Sequence, residues 1–140
     1  ASWTAELVRK LDGRTGLAAV QTAIDAHLDH ALRNPGFIRA QNILWGAALD
    51  PSSEFKPTVA EFMRIQRESV AQWIRDGQQN GEIGADQSPE HLAEQFYGGL
   101  LGLNTQWLMS AEFDLTAAYD EFKSNMITLL SPNSSSRNSQ

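Results

Sequence analysis

The chain has 140 residues, enough for one domain with a real core. It contains no cysteine, which excludes a disulfide scaffold and a thiolate metal site, and its first residues carry no signal-peptide pattern. The net charge of −6 is uneven: residues 1–70 hold eight basic and eight acidic side chains, residues 71–130 only two basic (Arg75, Lys123) and nine acidic. So acidic a half repels phosphate, and no basic face is readable for gripping nucleic acid directly.

The pattern predicts helices separated by short breaks, and no strand, because no run alternates with period two. A short helix is expected over about Thr4–Leu11, ended by Asp12-Gly13. Thr15 is placed to cap a second helix through Arg33, with Leu17, Val20, Ile24, Leu28, Ala31 and Leu32 as its apolar stripe. Asn34-Pro35-Gly36 stops it. A third helix follows over about Phe37–Leu49, with Ile38, Gln41, Trp45 and Ala48 on one face. After the Asp50–Ser53 loop, Pro57 opens a fourth helix to Gln79, turning Val59, Phe62, Met63, Gln66, Val70, Trp73 and Ile74 inward. Asn80-Gly81 ends it. Ser88-Pro89-Glu90 combines a capping hydroxyl, a proline in the first turn and an acid near the helix N-terminus, starting a fifth helix to about Ser110. Asp114 caps the last helix, striped by Leu115, Ala118, Tyr119, Phe122, Met126, Leu129 and Leu130. Residues 131–140 form a polar tail expected to be disordered.

The fifth helix is unusual. From Gln95 to Ala111 there is no charged residue, whereas a surface helix carries charge on its outer face. Gly98, Gly99, Gly102, Asn104, Thr105 and Gln106 interrupt the run too often for a membrane span. Burial on two sides is the remaining reading: one side on the domain's own core, the other on a second copy. Each helix-interior glycine costs roughly 1 kcal/mol relative to alanine, and close approach of a partner helix would offset that. The expected seam comprises Phe96, Gly99, Leu100, Leu103, Trp107, Tyr119, Phe122 and Met126, the last two helices pairing as a four-helix bundle across a two-fold axis.

The order Trp73-Ile74-Arg75-Asp76-Gly77, Gly81-Glu82-Ile83, Pro89-Glu90-His91-Leu92-Ala93, Gly98–Leu103, Gln106-Trp107-Leu108 and Phe113-Asp114-Leu115 resembles the C-terminal effector-binding and dimerisation domain of TetR-type (tetracycline-repressor-like) bacterial regulators. Each motif is loose alone; their order and spacing carry the likeness, sharpest over residues 70–130. The resemblance implies an all-α single domain of five or six helices spanning 15–130. It implies a cytoplasmic homodimer binding a small, often hydrophobic effector. It also implies an N-terminal helix-turn-helix head that reads DNA; the chain has no room for that head before Thr15, and residues 1–14 are expected to be the remnant of the linking helix. DNA would then be a partner only through the missing head, and no membrane is expected as a partner.

Within that frame, polar residues on apolar stripes mark a pocket, because burying them needs hydrogen-bond partners. These are His27, Gln41, Gln66 and Asn104, on four helices. Trp45, Phe62, Met63, Trp73, Tyr97 and Trp107 are candidate walls, with Trp107 equally suited to the seam. Each aromatic could instead be ordinary core. His27 and His30 lie three apart with Asp25 and Asp29 nearby, yet two imidazoles without a third ligand are a weak metal site, and none is assigned. No nucleophile elbow, phosphate loop or catalytic carboxylate pair is present in the sequence. No cofactor and no enzymatic activity are expected. The competing reading is a helical protein–protein interaction module with no small-molecule role.

Overall fold

The computed structural model describes residues 2–132; most of the expected tail, 133–140, lies outside the described residues. Six helices form in the predicted order: α1 Trp3–Leu11, α2 Gly16–Arg33, α3 Pro35–Ala48, α4 Lys56–Gln79, α5 Pro89–Met109 and α6 Leu115–Leu130. There is no strand among the described residues. Ser88 accepts a hydrogen bond from His91 N–H and Asp114 from Ala117 N–H, so both side chains cap the helices that follow them.

Thr15 departs from expectation. It stands at the N-cap of α2 but makes no capping bond there; its hydroxyl donates to Asp76 at 2.7 Å. The cap comes from Glu82, whose carboxylate accepts from Leu17 N–H, an acid placed where the helix dipole favours one. The reason is the close approach of α2 to the end of α4. Gly16 has φ +63°, and a Cβ there would overlap Glu82 and meet the Gly77 backbone; a Cβ on Gly77 would overlap Ile83.

α2 packs on α4 and α6, and α5 also lies on α4 and α6. Between them sit Val20, Ile24, Ile74, Phe96, Tyr119 and Leu130, each no more than 2% exposed. Each such side chain contributes roughly 1.5–3 kcal/mol by leaving water. Leu32 and Leu129, assigned to apolar stripes, are exposed instead. At position 32 the helix has turned outward, and His30 and Ala31 take the inward places. α1 lies along α2, while α3 touches α2, α4 and α5. No described helix is long and apolar enough to cross a membrane.

Candidate functional site

Where α3 meets the body the packing opens. A cavity of about 760 Å³ is walled by α1, α2, α3 and α4, with Trp3, His30, Phe37, Gln41, Trp45 and Phe62 among its lining. It opens to solvent past Phe37 and Leu44, both more than 40% exposed. Those six side chains also line a smaller space of about 40 Å³, completed by His27, Ile38, Gln66, Tyr97, Leu100, Leu101 and Asn104. The small space abuts the large one and reaches α5. The cavity was expected between α2, α3, α4 and α5; its outer part is bounded by α1 instead, and α5 lines only the inner end.

The rings fall into two clusters along the lining. Trp3 stacks on His30 with centroids 4.1 Å apart and planes 13° from parallel. It also meets His27 edge-on at 5.1 Å. His30 contacts Phe37 at 5.2 Å. Trp45 lies 6.0 Å from Phe62 and 6.3 Å from Tyr97. All but the closer Trp3–His30 stack lie within the range of about 4.5–7 Å typical of favourable aromatic pairs.

Burial disfavours the charged form of both imidazoles. Burial pushes the His27 pKa down to about 4, partly opposed by its bond to the Ala23 carbonyl at 2.7 Å. Burial also lowers that of His30. Desolvation raises the Tyr97 phenol to about 12. His30 Nε2 and Tyr97 Oη are buried without a hydrogen-bond partner among the described residues. Asn104 is buried too, but its Oδ1 accepts from Tyr119 Oη at 2.6 Å. At the mouth, Arg33 pairs with Glu6, and Lys10 reaches Asp29 at 2.7 Å. Hydrogen bonds from Lys10 and then Arg33 hold the Asp29 carboxyl down at about 2. These ion pairs tie α1 to α2.

Of the ten expected pocket residues, His27, Gln41, Trp45, Phe62, Gln66, Tyr97 and Asn104 are brought together around these two spaces. Met63, Trp73 and Trp107 are not among the residues lining either space, and Trp73 and Trp107 are half-buried against the core. Trp3, His30 and Phe37 were not singled out for the pocket. Trp3, Leu7 and Leu11 recur every four residues, a stripe that starting the helix at Thr4 cuts short. His30 was weighed only as a metal partner of His27, yet the fully or nearly buried Ala23, Ala26 and Ala31 mark its side of α2 as inward. Among the described residues no three histidine or acidic side chains are grouped to hold a metal ion.

Half of the residues expected at the seam are covered within the single chain. Phe96, Leu100, Tyr119 and Met126 are each at most 4% exposed in the single chain. They have no surface left for a second copy, because α5 and α6 use these faces against α2 and α4. Gly99 also serves the protomer: a Cβ there would overlap the Phe122 ring. Leu103, Trp107 and Phe122 are half-buried. The open face of α5 runs instead through Gln95, Gly98, Gly102, Gln106 and Met109, all exposed. Space is clear within 4 Å of a Cβ built on Gly98 or Gly102.

A six-helix body with a side cavity and the motif order described above places the chain among the C-terminal domains of TetR-type transcription regulators. The family model for the C-terminal domain of BetI-type transcriptional repressors matches residues 13–127, and the chain belongs to that family. Neither a curated protein nor a solved structure matches the chain.

Proposed function

We propose that this chain is the sensing and pairing body of a transcriptional repressor, and that its effector occupies the cavity between α1 and α4. The observation that carries this reading is the cavity itself: about 760 Å³, walled by aromatic rings, with buried polar atoms left unpartnered at its inner end. An apolar, ring-lined pocket with a few polar groups at one end is where a small ligand is expected to bind. In the parent protein an N-terminal helix-turn-helix head binds DNA as part of a homodimer. Trp3 connects the two ends of this scheme, because it lines the cavity from α1, the first helix of the body and the one on the side where an N-terminal head would attach. An effector shifts the body between two shapes only through its differential affinity for them. The second copy docks on the Gln95–Met109 face of α5, where Gly98 and Gly102 let a helix backbone approach.

Native mass spectrometry of the chain tests both parts. The expected result is a dimer of twice 15.5 kDa, carrying extra mass that is shed on activation. Trp45→Ala is expected to weaken retention roughly tenfold, the cost of losing part of an apolar wall. A monomer would remove the docking face, and undiminished binding by Trp45→Ala would remove the cavity assignment.

A further inference from the structure

We propose that the molecule held in the cavity is uncharged and largely apolar, and that it carries an acceptor oxygen, of a ketone, ester or hydroxyl, which takes hydrogen bonds from His30 Nε2–H and the Tyr97 hydroxyl. This rests on the sensor reading above and adds the chemical class of the effector.

The protonation pattern follows from the bonds already made. Asn34 Nδ2 lies 3.2 Å from His30 Nδ1 and also donates to the His30 carbonyl at 3.3 Å. Nδ1 is therefore the acceptor of the His30 ring, and in the neutral imidazole the proton sits on Nε2. His30 is 6% exposed, so this N–H is a buried donor without an acceptor. The Tyr97 phenol, kept protonated by burial, is a second donor. Asn104 has committed its oxygen to Tyr119 and has only its amide N–H₂ left to offer. The inner end thus holds two buried donors, His30 Nε2–H and the Tyr97 hydroxyl, with no described group accepting from them. Acceptors are present beside these donors: His27 Nε2, whose ring has its Nδ1–H taken by Ala23, and the amide oxygens of Gln41 and Gln66; they suit a ligand hydroxyl that both accepts and donates. The inner space of about 40 Å³ suits one water, or one ligand oxygen in its place.

Charge points the same way. No Lys, Arg, Asp or Glu lines the inner space. The outer cavity has only Glu6 and Arg33, and these pair with each other. Arg67 acts on Tyr97 only from outside the lining, so an ion carried inward would lose its water without a charged side chain in direct contact.

Four phenyl probes separate the chemistries: butylbenzene, the ketone butyrophenone, the anion phenylbutyrate and the cation benzyltrimethylammonium. Each is titrated into the 140-residue chain with affinity read by NMR. Butyrophenone is expected to bind about tenfold more tightly than butylbenzene, and more tightly than either ion. Tyr97→Phe is expected to weaken the ketone about fivefold and leave butylbenzene unchanged. The His30 ring nitrogen signals should move with the ketone and not with the hydrocarbon, a readout independent of any variant. Equal affinity for ketone and hydrocarbon, or tightest binding of the cation through the rings alone, would overturn the assigned class while leaving the sensor standing. Failure of all four probes to bind would remove the sensor reading as well.

Discussion

The two tyrosines of this domain live under opposite rules. Tyr119, on α6, is packed to 1% exposure, and its hydroxyl closes a 2.6 Å bond to Asn104. Tyr97, on α5, is half-buried beside a cavity, with its hydroxyl unpartnered among the described residues. The floor of the bundle, where α2, α4, α5 and α6 meet, is filled and satisfied. The end built by α1 and α3 is open, ring-walled and polar-hungry. One end of the chain is thus packed for stability, and the other leaves the space in which the proposed effector would sit.

Removing volume from the floor should have the largest effect. Phe96→Ala is expected to cost about 3–5 kcal/mol in urea unfolding. A loss below about 1 kcal/mol would mean that the floor is not the stable end.

The cavity end should answer to acid. His27 titrates near 4 in the folded chain against an ordinary 6.5, so the unfolded chain binds more protons between those values. Stability is therefore complete above about pH 6.5 and falls as pH drops towards 4, by up to about 3 kcal/mol for this group. His27→Gln should flatten that part of the stability–pH curve; an unchanged slope would place the responsible groups elsewhere.

The sharpest comparison removes one oxygen from each tyrosine. Tyr119→Phe leaves the buried Asn104 oxygen without its donor and should cost about 1–3 kcal/mol. Tyr97→Phe removes a hydroxyl that bonds to no described group, and thermal unfolding without ligand should be unchanged or slightly improved. Equal losses at both positions would erase the distinction between the two ends.

The smallest expected effect is on the open face of α5. Gly98→Ala should raise protomer stability by up to about 1 kcal/mol through helix propensity. Sedimentation should show weaker pairing if a partner backbone lies against it.

Much of the fold was readable because its signals are local. Ser88, Pro89, Asp114 and the Asn80-Gly81 stop act through their own neighbours, and the stripes gave the order of all six helices. His27, Gln41, Gln66 and Asn104 stood out as polar residues on apolar stripes, and they line one space. What sequence could not resolve depends on which of two partners a residue meets. Gly99 suggested a second chain and meets Phe122 of its own. Phe96, Leu100, Tyr119 and Met126 were apolar in the right register, but periodicity does not say whether such a face is covered from within or from without. Trp3 and His30 were missed because their significance lies in stacking on each other across two helices.

The crossing of Gly16 with Gly77 has a consequence for how this sequence can drift. Position 16 is constrained twice, by its φ of +63° and by the space that Glu82 and Gly77 occupy. Trimming Glu82 would relieve the overlap but not the dihedral, and would remove the cap on α2 as well. Trimming residue 82 alone therefore leaves the backbone strain of a side chain at residue 16 in place. In a library of paired substitutions this position should stay intolerant, whereas position 77, restricted mainly by the Ile83 side chain, should be recoverable by a smaller residue at 83.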